Sequence, residues 1–209
     1  GGVSSRAVVR KGELHLLERV GAAGHVFQVL DGSRAAVPAA VVRFGGRDFA
    51  PDDRGEIVVP FTTAPGRQPV LLRSGGVASV AYFQHATEGY ALDLAAHVPS
   101  EGLLAGETAT LIARPRLSVN GERVALDLLE NAALVVTAVD QDGTSSTKVF
   151  DGFELEGMEE IVETILVPER LASLSVQLTA TVRSISLGED VSLASQARSV
   201  EINGAARTA

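Results

Sequence analysis

The sequence predicts an all-β protein made of two tandem antiparallel β-sandwich domains. Three observations carry this prediction. The first is Leu174–Val182, where Leu174, Val176, Leu178, Ala180 and Val182 alternate without a break with Ser175, Gln177, Thr179 and Thr181. Successive strand side chains point to opposite faces, so the pattern gives one dry face and one wet face. The second is turn chemistry between Glu13 and Gln84, which marks off about seven short strands at intervals of roughly 8–12 residues. The third is the hairpin signal Asn120-Gly121 between Arg116–Val119 and Glu122–Leu126. Asn-Gly suits a type I′ turn, whose central residues both need φ > 0. A two-residue loop places Val119 opposite Glu122 and Leu117 opposite Val124, apolar on apolar, so turn and register agree.

Residues 1–12 read as a lead-in. Strands are expected at Glu13–Val20, His25–Leu30 and Ala39–Phe44, separated by Gly21, Gly24, the turn Asp31-Gly32 and Pro38. Gly45-Gly46 turns into Arg47-Asp48-Phe49. Asp52-Asp53-Arg54-Gly55 reads as a hairpin turn leading into Glu56–Phe61, because Asp favours the start of a type I turn and Gly its left-handed close. The other use for such an acidic pair is a metal. After the loop Thr62–Gln68, Pro69–Arg73 and Val77–Gln84 complete the first domain. The pattern resets near His85–Tyr90, which divides the chain into domains 1–88 and 89–209.

In the second domain Tyr90–His97 and Thr108–Ala113 are strands, with a loop at Pro99–Gly102. Asp127–Asn131 is a helical turn or a bridge. Ala133–Val139 returns as Thr144–Phe150, and a loop made of Asp142-Gly143 would set Val136 opposite Val149. Asp151–Glu163 carries six acidic residues, including Glu156, and reads as a solvated, edge-protecting face. Met158–Leu166 is compatible with helix or strand, and Pro168-Glu169-Arg170 ends it. The phase of the Leu174 strand slips near Ser184-Ile185, as a bulge would cause. Val191–Leu193 and Ser199–Ile202 supply the last strand, and Asn203–Ala209 has no pattern.

Composition narrows the function. The chain has 209 residues, 45% of them hydrophobic, and a formal net charge of −8. Its arginines are spread singly along the sequence, so nucleic acid is not an expected partner. Cysteine is absent, which removes disulfides, thiol nucleophiles and Cys-ligated zinc. No apolar run nears the roughly 20 residues that span a bilayer, so membrane insertion by this segment is not expected. The chain starts at Gly1-Gly2 and its single Met is Met158. It therefore reads as a segment of a larger protein.

No motif specifies a catalytic site, and no cofactor is expected. His15, His25, His85 and His97 form no HxH, HxxxH or HExxH pair and read as surface or boundary residues. No Gly-x-Ser-x-Gly elbow is present. Asp140-Gln141-Asp142-Gly143 opens like a calcium loop, which makes Asp140 and Asp142 weak metal candidates, but its twelfth position is Asp151 and a β-branched strand intervenes. Sugar platforms present aromatic faces; here Trp is absent, and Tyr82 and Tyr90 flank the domain boundary.

Two stretches resemble known families. Val37–Phe61, with a Pro-led strand, an Asp-x-x-Gly turn and the apolar strand Glu56–Phe61, resembles the immunoglobulin-like or prealbumin-like repeats of large bacterial surface proteins. Leu103–Val182, with Val119-Asn120-Gly121-Glu122 and Asp140-Gln141-Asp142-Gly143, looks like the macroglobulin-type sandwiches of alpha-2-macroglobulin-like proteins. The likeness implies a scaffold portion, since that family's reactive thioester needs a cysteine. The expectation is a non-enzymatic structural or protein-interaction module of an exported protein, placed extracellularly, in a periplasm or on a cell surface. Its partners would be another protein or neighbouring domains of its own chain. The alternatives are a carbohydrate- or calcium-binding module, or an accessory domain of a hydrolase.

Overall fold

In the computed structural model, residues 12–99, 103–155, 157 and 159–200 are described. The lead-in before Gly12, most of the Pro99–Gly102 loop, Glu156, Met158, the end of the strand expected at Ser199–Ile202 and the tail from Asn203 lie outside them. The described chain is all-β, apart from a 3-10 turn at Leu126–Leu128. It divides into two compact units, Gly1–Glu88 and Gly89–Ala209.

In the first unit, β1 (His15–Gly21), β2 (Gly24–Leu30) and β5 (Ile57–Val59) form one sheet in the order β1-β2-β5. A second sheet has the order β4-β3-β6-β7, from β3 (Val41–Phe44), β4 (Arg47–Phe49), β6 (Gly66–Ser74) and β7 (Val77–His85). Phe27, Val29, Ile57 and Val59 from the first sheet bury against Val42, Val70, Leu72 and Phe83 from the second. These residues alternate with exposed or half-buried ones along β5, β6 and β7, as a two-layer core requires. The Asp52–Gly55 turn is not a hairpin. Its flanking strands β4 and β5 part into different sheets, so it carries the chain across the sandwich.

The second unit repeats this strand order. β8 (Tyr90–His97) and β13 (Ile161–Leu166) flank β9 (Thr108–Val119), as β1 and β5 flank β2. The facing sheet runs β12 (Ser145–Phe150), β11 (Leu129–Asp140), β14 (Leu171–Arg183), β15 (Asp190–Ala194), matching β4-β3-β6-β7. The alternating strand read from the sequence is the centre of β14. Leu174, Val176, Leu178, Ala180 and Val182 are all buried there, and β11 pairs along nearly its whole length.

Four local expectations are corrected. Thr108–Ala113 and Arg116–Val119 are one strand, β9, running through Pro115. On the side away from β8, β13 pairs only as far as Ala113 and β10 (Glu122–Val124) begins only at Leu117. The residue that cannot donate a ladder bond therefore sits where that ladder is broken. Val136 faces Lys148, and Val135 faces Val149. The β11–β12 connection is a three-residue loop, with Asp140 N–H donating to Thr144 O and Gly143 at φ 83°. Near Ser184 the chain turns rather than bulges: Ser184 N–H donates to Glu189 O, and Gly188 N–H to Ser184 O. The last strand is two pieces on the same side of β14, β15 and β16 (Arg198–Val200). Between them, buried Ser195 donates its N–H to Leu178 O and accepts the Leu178 N–H on Oγ. Met158–Leu166, open between helix and strand, is a strand from Ile161 on. The Asn120-Gly121 hairpin has the expected register, with Asn120 at φ 47° and Gly121 at φ 90°.

Candidate functional site

The metal candidates are used by their own turn. Asp140 Oδ1 accepts the N–H groups of Asp142 at 2.9 Å and Thr144 at 2.8 Å. Both carboxylate oxygens of Asp142 accept from Arg170, at 2.6 and 3.0 Å. The same arrangement occurs twice in the first unit. Asp52 Oδ1 accepts from Arg54 N–H and Glu56 N–H, and Asp31 Oδ1 from Ser33 N–H and Ala35 N–H. These bonds favour the ionised carboxylate and hold both aspartates below the ordinary 3.8. The leading causes are the Ser33 hydroxyl for Asp31 and the Glu56 amide for Asp52. Among the described residues, no group of three or more His, Asp or Glu side chains gathers as a metal site would require.

The histidines divide. His15 and His97 are exposed, whereas His25 and His85 are buried in the first unit, against the surface role expected for them. His25 is fully buried among the rings of Phe27, Phe61, Phe83 and His85. Its Nε2 accepts the Ala86 N–H at 3.0 Å, so the ring proton sits on Nδ1 and is donated to Glu18 at 2.7 Å. His85 donates from Nε2 to Pro60 O at 2.8 Å. Both nitrogens of His25 are thus satisfied inside the fold, and its work is structural.

The tyrosines belong to different units. Tyr82 is 56% exposed on β7 with the Arg67 guanidinium carbon 4.4 Å from its ring centre. Tyr90, in the other unit, packs against that unit's core and directs its hydroxyl at Arg183 O.

The structure gathers arginines that the sequence scatters. A cleft of about 620 Å³ opens over the break in the β9 ladder. Arg114 and Arg116 line it from β9, Arg123 from β10 and Arg198 from β16. Arg114 is tied to Glu160 through Nε at 2.7 Å, and Arg198 donates Nε to Leu94 O at 2.9 Å. Arg116 and Arg123 have no ion-pair partner among the described residues; Asp93 lies opposite Arg116 in register without closing on it. Strand alternation puts Arg114 and Arg116 on one face, and the hairpin register brings Arg123 opposite Ser118 on that face. Those two signals were present in the sequence, whereas the contribution of Arg198 required the tertiary fold.

Comparison with known proteins gives the following. Residues 99–208 match the family model described as the AbpF third immunoglobulin-like domain. The chain is 29% identical over 192 residues to actin-binding protein F of Dictyostelium discoideum. That alignment covers 88% of this chain but 8% of the relative. Among solved structures, a tetra-tandem repeat in the extending region of a large adhesion protein aligns with 16% identity and a TM-score of 0.32, over 91% of this chain and 50% of the other. The Yersinia pseudotuberculosis adhesin InvE aligns with 11% identity and a TM-score of 0.25, over 87% and 58%. The family match includes the stretch Leu103–Val182 likened above to macroglobulin-type domains, and the domain it identifies there is immunoglobulin-like. With more than half of its length matched and an all-β sandwich architecture, the chain belongs to the family of the AbpF third immunoglobulin-like domain.

Proposed function

We propose that this chain is a non-enzymatic structural and protein-interaction segment of a longer protein. It consists of tandem immunoglobulin-like domains at 1–88 and 89–209. The observation that carries this reading is the repetition of one strand order in consecutive units: three strands facing four in the first, and the same arrangement with β10 and β16 added, four facing five, in the second. Consecutive copies of a sandwich suit spacing and the presentation of surfaces, and fold alone assigns no chemistry. The family match and the relative's name support an interaction role. The partners are then a protein or neighbouring domains of the same chain, not nucleic acid.

Two placements compete. The resemblance to bacterial surface repeats suggests an exported protein at a cell surface or in a periplasm. The relative's name suggests a chain that meets actin. Co-sedimentation with filamentous actin at physiological salt separates them. The spacer reading expects the 209-residue chain to remain in the supernatant. Saturable pelleting would replace that reading with direct filament contact by these domains. The calcium and carbohydrate alternatives draw no support from the site geometry, because Asp142 is held by Arg170, the Tyr82 ring is covered by Arg67, and Tyr90 packs against its own unit's core.

A further inference from the structure

We propose that the cleft over the β9 break binds an extended peptide carrying acidic residues at alternate positions. This deepens the interaction reading above and rests on it.

Charge is the first support. In a chain of net charge −8, four arginines line one cleft, and two of them, Arg116 and Arg123, lack a carboxylate partner among the described residues. Asp93, Glu159 and Glu160 share the cleft, but Glu160 is taken by Arg114 and none of the three closes on Arg116 or Arg123, whose guanidinium groups are left to repel one another. A carboxylate ligand relieves that repulsion through paired, charge-assisted hydrogen bonds.

Spacing is the second support. Arg114 and Arg116 are two residues apart on one strand face, roughly 7 Å. Arg123 is a diagonal neighbour of Arg116 across the hairpin, at roughly 7–8 Å. An extended peptide presents side chains on one face at the same roughly 7 Å repeat, so the carboxylates of Glu-x-Glu can reach Arg116 and Arg123 together, while Arg114 keeps Glu160.

The backbone is the third support. Between Ala113 and Leu117, β9 pairs with neither β13 nor β10. That leaves the Pro115 carbonyl, between the two arginines, without a neighbouring strand on this side, an acceptor for one peptide N–H. Along the same outer face, Val162 and Leu166 of β13 are 59% and 68% exposed, offering apolar contact beyond the charged end.

The test uses the whole chain and an end-blocked, fluorescein-labelled peptide, Glu-Thr-Glu-Thr-Glu, followed by anisotropy at low salt. Binding is expected to saturate and to weaken as salt rises. The double variant R116Q/R123Q is expected to lose at least about tenfold in affinity, while R47Q/R54Q, changed in the first unit, keeps it. Both changes fall on exposed side chains, and an unchanged thermal melt checks that each variant folds. In the unmutated chain, NMR shifts on titration should concentrate at the amides of Arg114, Arg116 and Ser118. No saturation up to millimolar peptide, equal loss in both double variants, or tighter binding of an oligothymidylate would each overturn the proposal. None of these outcomes bears on the actin pelleting result, so the tandem-spacer reading stands or falls separately.

Discussion

Arg34 occupies in its turn the place that Gly143 holds in another. Asp31–Ala35 and Asp140–Thr144 are the same five-residue turn, closed by Asp31 N–H to Ala35 O in one and Asp140 N–H to Thr144 O in the other. The fourth residue is left-handed in both, at φ 67° for Arg34 and 83° for Gly143. Asp52–Glu56 is a third copy, with Gly55 at φ 76°. A side chain in that region costs about 1–2 kcal/mol, whereas glycine's extra freedom in the unfolded chain costs about 0.5–1 kcal/mol. Arg34→Gly should therefore stabilise the first unit by about 0.5 kcal/mol, and Gly143→Ala should destabilise the second by about 1 kcal/mol. Urea unfolding curves read both. A loss of stability in R34G would mean that the arginine side chain makes a contact worth more than the strain.

The turn aspartates set an acid limit. The pKa values of Asp31 and Asp52 are lowered on folding, so the folded state binds fewer protons than the unfolded state near and below 3.8. Their contribution is complete above the unfolded value and is lost as pH falls through the lower folded values. The urea midpoint of the first unit should fall steeply between about pH 4 and 2 and less steeply in the double variant D31N/D52N. Parallel curves would show that other carboxylates govern acid unfolding.

His25 should be intolerant of replacement. His25→Phe keeps an aromatic ring among Phe27, Phe61 and Phe83 but leaves the Ala86 N–H without its acceptor, a cost of about 1–3 kcal/mol. His25→Ala adds a cavity and should cost about 3–5 kcal/mol. Thermal melts of the two variants give the order. If F and A cost the same, the hydrogen bond carries the stability and the ring packing does not.

Millimolar calcium should leave the melting midpoint unchanged, since ligand binding to the folded state is what raises it. Asp140 and Asp142 should also separate in effect. Asp140→Ala removes the acceptor of two backbone N–H groups and should cost about 1–2 kcal/mol. Asp142→Ala removes an exposed ion pair with Arg170 and should cost less than about 1 kcal/mol. A calcium-dependent rise abolished by D142A would reinstate the loop as a metal site.

Much of the fold could be read from particular residues. The core face of β14 follows from strict alternation, and the β9–β10 register follows from Asn120-Gly121, because in both cases local geometry and burial ask for the same thing. The β11–β12 register lies one residue from the one a two-residue Asp142-Gly143 loop implies, because that dipeptide also fits the end of a three-residue loop. What selects the longer loop is the reach of the Asp140 carboxylate to Thr144, a side-chain bond that dipeptide preferences omit. Asp31-Gly32 is a turn signal, yet the left-handed residue of that turn is Arg34, two places on. The buried histidines were illegible for a different reason. His25 lies in β2, where consecutive residues from Gly24 to Phe27 are all buried, so no alternation marks its side chain as facing inward.

The pairing pattern also orders events on the ribosome. Every strand ladder of the first unit lies between His15 and His85, so that sandwich has all its partners before the second unit is made. In the second unit β11 must wait for β14, and Leu134 pairs with Leu178. At roughly 5–20 residues per second, that interval leaves the apolar run Ala133–Val139 covered only by its hairpin mate β12 for a few seconds. The segment emerging during the wait is Asp151–Glu163, rich in carboxylates. Charge placed there keeps neighbouring nascent chains apart while the exposed strand is still without its partner.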